Sequence, residues 1–582
     1  MYSSENLTIL RQAMKEKGLK AYLIQTGDPH NSEEPAAYYA AERRFFCPFT
    51  GDNAYVIVSE DKAYIFSDGR FNISAPLEIK GTPYEFIELY KPGFPTPYDL
   101  IKESGLYPLG TDFSILSPLD LSELEEGGKV LDVSFAHLVK DREPLSASKI
   151  WRFDDPKYQD KTSVEKIAEI RKQFQSLGTK AHLVTTLDDI AYLTNLRGED
   201  VDCTPVFYSY LYIDSESAHL FVDPSRIDYE VEGLIIHPYA EVFPFVKERS
   251  DVPTLVDPNE CNAKLYRELA KPITGEAPSR LMKAVKGPKE IENIISIQAE
   301  DGVALLKFSK YLEENDLLGK SEWDLAGILH GYRAEGKRFI GESFTTIAAI
   351  NSNAAMMHYA PTAKTYSIID KDALELLVDS GGQYLGGTTD TTRTFLIGKP
   401  TKEYIHDYTL TLKSVIALSS ATFIQGTTGR SIDMLARHVM WKEGLDYKCG
   451  TGHGVGYVSV VHESPNGFRY RAAKGKNDGC ANVPGMVTTI EPGVYKANKY
   501  GIRIENNLLT IPAFETPDGV FYKFKNVTFV PIDTKALDLS IMTEEEIAYL
   551  NAYHQEVYEH LSPLVDGELL DYLKEKTKPI SK

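Results

Sequence analysis

LLVDSGGQYLGGTTDTTRT, residues 376–394, is the stretch around which the chain is organised. The apolar run Leu376-Leu377-Val378 reads as a buried strand that delivers Asp379 to its end. Glycines at 381, 382, 386 and 387 then punctuate a turn-rich connection. The chain returns through a second β-leaning run, Thr391 to Ile397, with Asp390 at its start. Two carboxylates eleven residues apart on neighbouring strands can point into one cavity. Burying two ionised carboxylates is costly unless positive charge compensates, and a hard divalent cation does so well. Turn-forming aspartates would explain the same pattern more plainly. Residues further along decide between the two.

Length and charge narrow the field. A chain of 582 residues has room for several domains with substantial cores, and 42% hydrophobic content is that of a globular protein. The net charge of −21 argues against nucleic acid or an anionic membrane as a partner. Cys47, Cys203, Cys261, Cys449 and Cys480 are scattered without a CxxC, which suits reduced thiols better than a disulfide framework. The first twenty residues form a charged amphipathic segment without a signal peptide's apolar core, and no apolar run approaches membrane-spanning length. The expectation is a soluble cytoplasmic protein, in which the sequons at Asn6, Asn72 and Asn526 are coincidental.

Periodicity sets out the organisation. Leu7, Leu10 and Met14 mark a helix that stops at Gly18 and gives way to a strand at Ala21 to Ile24. The plan recurs 160 residues later, with Ile167, Ile170 and Phe174, then Gly178, then Ala181 to Thr185. KGLKAYLI and LGTKAHLV share the pattern with the glycine in register, which predicts two related α/β domains. The stretch from Asp141 to Lys161 reads as their linker. A second boundary falls at Lys286-Gly287-Pro288, where Pro288 can open a long helix with Ile291, Ile294, Ile295, Leu305, Phe308 and Leu312 on its apolar stripe. Ser321 with Asp324 resembles a capping box. From about Phe339 the text is β-rich, with helices around Ile405–Val415, from Ser431 to Met440, from Glu545 to Leu561 and from Leu569 to Lys576, the last two after a strand-like VTFVPI. The third segment is therefore expected to be α+β.

Three more candidate ligands follow the aspartate pair. His453 lies in GTGHGVG, where flanking glycines permit close approach to its ring. Glu491 ends the strand-like MVTTI before Pro492-Gly493, and Glu505 sits in GIRIENN, where alternation puts Arg503 and Glu505 on the face opposite Ile502 and Ile504. Four carboxylates and one imidazole suit two hard divalent ions, with Mn²⁺ favoured and Zn²⁺ or Co²⁺ as alternatives. Two such ions roughly 3.5–4 Å apart can hold a hydroxide and polarise a carbonyl, which is hydrolytic chemistry.

The blocks VDSGGQYLGGTTDTTRT, GTGHGVGYVSVVHES, TTIEPGVY and GIRIENN resemble, in order and spacing, the aminopeptidase P (Xaa-Pro aminopeptidase) family of pita-bread-fold metallopeptidases. The resemblance implies metal ligands at Asp379, Asp390, His453, Glu491 and Glu505, with Asp390 and Glu505 bridging both ions. Asp379 would serve one ion, and His453 with Glu491 the other. It implies substrate and transition-state roles for His358 in MMHYAP and His462 in VVHES, and a relay role for Arg503. DPHNSEEPAAYY, SDGRF, NLRGEDVDCTPVFYSY and the tail from FVPIDTKALD resemble the long, three-domain form of the family. That form implies two creatinase-like N-terminal α/β domains, 1–160 and 161–286, ahead of a pita-bread catalytic domain with a C-terminal extension, 287–582, and a homodimer.

The implied activity is hydrolysis of the bond between a peptide's first residue and a proline in second position. A hydroxide bridging two metal ions would attack, the metals and His462 would stabilise the oxyanion, Glu491 would act as proton acceptor, and His358 would hold the proline side. A prolidase, confined to dipeptides, is the nearest alternative, and its single N-terminal domain argues against it. A catalytically silent peptide-binding relative, or metal-free creatinase-type chemistry, is disfavoured because all five ligand positions are filled. One departure stands out: many relatives carry histidine four residues before the ligand histidine, where this chain has Cys449, and a thiol cannot carry an imidazole's proton. A role for Cys449 as thiolate ligand or nucleophile would need activating surroundings. Phe71, where many relatives have tyrosine, is a minor change.

Overall fold

The computed structural model describes residues 2–471 and 479–582. The chain divides into two compact units, Met1–Pro156 with Lys161–Arg280, and Lys157–Asp160 with Leu281–Lys582.

In the first unit the repeated sequence plan has become a repeated topology. Leu7, Leu10 and Met14 are the buried stripe of the helix Ser4–Glu16, and the strand Ala21–Gln25 follows. Ile167, Ile170 and Phe174 do the same in Ser163–Leu177, ahead of Ala181–Val184. Gly18 and Gly178 both turn the chain at φ +66°, which glycine adopts without strain. From edge to edge, one six-stranded sheet runs Glu85–Glu88, Ala63–Ser67, Tyr55–Ser59, Ala21–Gln25, Leu109–Thr111, Val130–Asp132. The other runs Ile235–His237, Ala218–Phe221, Tyr210–Asp214, Ala181–Val184, Thr254–Val256, Pro272–Thr274. In each the successive pairings are parallel, antiparallel, antiparallel, parallel and parallel. The stretches DPHN and VFYSY meet here. Tyr208 donates to Asp28 at 2.9 Å, while buried His30 lies 2.6 Å from the Thr185 carbonyl and 2.8 Å from the Tyr239 hydroxyl.

In the second unit Pro288 opens the helix Pro288–Glu314 at its first turn, and Ile294, Leu305, Phe308 and Leu312 are buried along it. Burying each is worth about 1.5–3 kcal/mol, so packing rather than intrinsic propensity holds a helix of this length. Ser321 and Asp324 form the capping box of Glu322–Ala334. Three strands, Ile347–Ile350, Glu375–Ser380 and Thr391–Leu396, form one antiparallel sheet. A six-stranded sheet runs Thr422–Ile424, Gly519–Asn526, Asn506–Thr516, Val487–Ile490, Gly452–Gly454, Glu463–Phe468. A two-stranded ribbon pairs Gly493–Lys496 with Tyr500–Arg503.

Four details differ from the sequence reading. The connection between the two aspartates is not all turn: Gly382–Tyr384 and Gly387–Thr388 form a short hairpin that pairs with Phe339–Glu342. The helix expected from Ser431 begins at Gly429, because Thr428 is its cap and accepts from the Ser431 N–H. GIRIENN is not one strand; the ribbon ends at Arg503 and the sheet strand starts at Asn506. VTFVPI is buried except for Pro531, yet forms no strand. Side chains replace the ladder there: Arg393 donates to the carbonyls of Val530 and Pro531, and the Ile532 N–H donates to His554.

Glu375, fully buried at the start of its strand, has no hydrogen-bond partner on either carboxylate oxygen. Burial pushes its pKa up to about 8, and the nearby Gly501 N–H offsets only part of that. The unfolded chain releases the same proton near roughly 4.3. Between those limits the folded state holds a proton that the unfolded state lacks, so this residue's contribution to stability falls as pH rises and levels off above about 8. Glu375→Gln is expected to melt progressively above the native protein as pH rises. Melting temperatures taken from about pH 5 to 9 test this, and a constant gap between the two proteins would contradict it.

Candidate metal centre

Leu376, Leu377 and Val378 are buried, and their strand carries Asp379 into register with Thr392. Asp390 stands immediately before the partner strand, so the two aspartates emerge at one end of the same pair. His453 comes from Gly452–Gly454, the strand beside Val487–Ile490, which Glu491 directly follows. Its glycines serve a purpose other than access to the ring. A Cβ on Gly452 would lie 1.9 Å from the Thr489 carbonyl oxygen, and one on Gly454 would lie 2.3 Å from that of Glu463. Flanking backbones therefore close directly onto the histidine's strand. Glu505 sits in the link between Arg503 and Asn506, with its N–H bonded to the Thr392 carbonyl at 3.1 Å.

These side chains converge. Ligand atoms of Asp390, His453 and Glu505 lie within 4.8 Å of one another, and all three residues are buried. His453 Nε2 is 3.4 Å from Asp390 Oδ2 and 3.4 Å from Glu491 Oε1. Its Nδ1 is 2.9 Å from the Gly454 carbonyl; only a proton on Nδ1 makes that a bond, and this leaves Nε2 facing the carboxylates. Arg503 Nη2 donates to Asp379 Oδ2 at 2.7 Å, and its Nε donates to Thr392 Oγ1 at 3.1 Å. Thr392 in turn donates to Glu505 Oε2 at 2.8 Å.

Burial, with the charges of Asp379 and Glu491, pushes Asp390 up to about 6 against the pull of His453. Burial and the charges of Asp390, Asp379 and Glu491 raise Glu505 well above the usual carboxylate range. For His453, burial alone would lower the pKa, but Asp390 and Glu491 outweigh it and raise it. Four carboxylates thus face one guanidinium and one imidazole. Asp379 Oδ1 and Glu505 Oε1 are buried without hydrogen-bond partners. Buried acceptors left over, in a cluster with excess negative charge, fit divalent cations bound mainly through oxygen.

His358 lies in a turn after the strand Ile347–Ile350, half-buried. His462 lies in a bend just before Glu463–Phe468, with its ring 4.3 Å from that of His453 at 78°. The carboxylate of its neighbour Glu463 is ion-paired with fully buried Lys286. Cys449 packs at the edge of the cluster of Leu410, Met440, Tyr447 and Val494, and among the described residues it is outside the ligand group. Sequence reasoning missed three supporting residues. Besides Thr392, Arg393 donates to the Glu505 carbonyl at 2.6 Å and to Asn506 Oδ1 at 2.8 Å. Asn507 donates to the Asp390 carbonyl at 2.7 Å. Their polar side chains inside otherwise β-leaning runs were the available signal.

The metallopeptidase family M24 model matches residues 292–511, and its C-terminal region matches 520–580. Creatinase/prolidase N-terminal domain models match 7–141 and 141–290. Xaa-Pro aminopeptidase 1 of Dictyostelium discoideum is 33% identical over 99% of this chain and 96% of its own length. This chain belongs to the Xaa-Pro aminopeptidase P family. A second member, from Tuber melanosporum, is 34% identical over 99% of each chain. The X-prolyl aminopeptidase of Caenorhabditis elegans, described as a cytosolic enzyme with a di-nuclear active site, superposes with a TM-score of 0.92 at 30% identity over 99% of both chains. A Pyrococcus horikoshii prolidase covers 63% of this chain at 22% identity and a TM-score of 0.50, which speaks to the fold alone. The family's architecture is present: two creatinase-type domains precede a pita-bread metallopeptidase domain.

Proposed function

We propose that this protein is a metal-dependent aminopeptidase that removes the first residue from peptides with proline in second position. The observation that carries the reading is the buried convergence of Asp390, His453 and Glu505, in a chain related to Xaa-Pro aminopeptidases along its whole length. Asp379, Asp390, His453, Glu491 and Glu505 would hold two divalent ions. Bound there, such ions supply Lewis acidity toward a water molecule and toward the scissile carbonyl.

The chain's own groups then divide the work. Arg503 orients Asp379 through their 2.7 Å bond. The bond from Nδ1 to Gly454 holds His453 with Nε2 toward the carboxylates. Glu491 accepts the attacking water's proton and returns it to the proline nitrogen as the C–N bond breaks. His462, standing edge-on to His453, donates to the developing oxyanion, and His358 holds the substrate on the proline side. Proline's nitrogen carries no hydrogen to donate, so selection falls to the shape around its ring.

The donor set, rich in oxygen and free of thiolate, supports Mn²⁺ as the working metal. The excess of acidic residues supports a partner list without nucleic acid or anionic membrane. No helix among the described residues is long and apolar enough to cross a membrane. With the cytosolic C. elegans relative, that supports a cytoplasmic location. Three domains, 1–160, 161–286 and 287–582, and a homodimer complete the proposal; light scattering of the purified protein tests the dimer. The decisive assay strips the metal and restores Mn²⁺, Zn²⁺ or Co²⁺ before adding a Xaa-Pro-Xaa tripeptide and a Xaa-Pro dipeptide. Turnover should vanish on stripping, return best with Mn²⁺, and favour the tripeptide. Silence with every metal defeats the assignment, and strict preference for the dipeptide makes the protein a prolidase.

A further inference from the structure

His358 stands in a loop, residues 351–367, that leaves the strand Ile347–Ile350 and has little regular structure of its own. A single buried carboxylate on a neighbouring helix gathers donors from several points along that loop. Glu322, fully buried, is the first residue of Glu322–Ala334. Its Oε1 accepts from the Ile350 N–H at 2.8 Å and from Asn353 Nδ2 at 3.0 Å. Its Oε2 accepts from the Tyr359 hydroxyl at 2.6 Å and the Ser367 N–H at 2.7 Å. Donors from the loop's start, its middle and its end thus meet on one side chain. None of these donors is charged, so the carboxylate holds the loop through hydrogen bonds alone. On the other side of His358, the Met357 carbonyl accepts from Arg503 Nη2 at 3.4 Å, the same nitrogen that binds Asp379. His358 is therefore flanked by two tethers, one to Glu322 through Tyr359 and one to the carboxylate cluster through Met357.

We propose that Glu322 is a positioning residue for His358: by gathering the 351–367 loop at three points it fixes where the imidazole meets substrate. The inference rests on the reading of His358 as a substrate-contacting residue. A group held loosely near the reacting bond loses rate steeply, roughly a hundredfold for an ångström of misplacement. Glu322→Gln turns an amide N–H₂ toward donors that require an acceptor, and Tyr359→Phe removes one tether while leaving the carboxylate in place.

The test is a double-mutant cycle on the Mn²⁺-loaded full-length protein, with a Xaa-Pro-Xaa tripeptide as substrate and with metal content and melting temperature recorded for each variant. Glu322→Gln is expected to lower kcat/KM by about ten- to a hundredfold and Tyr359→Phe by about three- to tenfold, with metal content unchanged. In a His358→Ala background, each should cost less than about twofold, because the imidazole they position is gone. Equal losses in both backgrounds overturn the inference and leave the role of His358 standing, since Glu322 then acts through the fold alone. Native turnover by His358→Ala overturns the role of His358, and this inference with it. Should Glu322→Gln fail to fold, Tyr359→Phe and Asn353→Ala complete the cycle with the same criterion.

Discussion

Asp390→Ala is expected to lower turnover of a Xaa-Pro-Xaa peptide by at least about three orders of magnitude while leaving a folded protein. Asp390 lies 3.4 Å from His453 and within the same tight group as Glu505, so its loss removes a carboxylate proposed to hold the metal. Lewis-acid stabilisation is worth several kcal/mol, and each 1.36 kcal/mol is a factor of ten in rate. Stability should move the other way in the metal-free protein. There the Asp390 carboxylate is buried beside other acids, which is why its pKa is pushed up to about 6, and deleting it relieves that repulsion. Elemental analysis of the variant should show metal loss, and its metal-free form should melt no lower than the metal-free native protein. Near-native turnover with full metal content would show that the ligand assignment is wrong.

His462→Ala should cut kcat by a factor on the order of 10²–10³, with metal content unchanged, as expected for loss of one transition-state donor. The prediction depends on how firmly the ring is held. It stands 4.3 Å from the His453 ring, and the next residue is anchored by the buried ion pair of Glu463 with Lys286. An effect confined to KM would make His462 a ground-state contact instead. A retained native rate would remove it from the mechanism altogether.

Much of this was legible in the sequence because the centre is built from strand ends. Alternation and apolar runs locate such ends, so Asp379, Asp390 and Glu491 could each be placed from their neighbours, and Gly18 and Gly178 marked the copied helix–strand plan. Flanking glycines and period-two alternation brought His453 and Glu505 forward as candidates, and the family resemblance added the division of all five between two ions. What stayed hidden is tertiary. Glu322 looks like an ordinary residue in a helix's first turn, and nothing within ten residues of it hints at Tyr359 or Ser367. VTFVPI has every local mark of a strand, yet Arg393, 134 to 139 residues earlier, takes up its carbonyls. The glycines around His453 were correctly singled out for close approach, but the groups approaching are carbonyls of the flanking strands.

The duplicated sheets of the first unit bear on the risk of edge-to-edge association. An open sheet exposes unpaired N–H and C=O groups at each edge, and two such sheets in one chain double the opportunity for fibrous self-association. Here every outermost strand is only three or four residues long, too short to template an incoming segment. Pro272 removes a donor from one rim, and Glu85 and Glu88 place like charges along another. Lengthening any of these borders, or replacing Pro272 with a β-branched residue, is expected to favour edge-to-edge association.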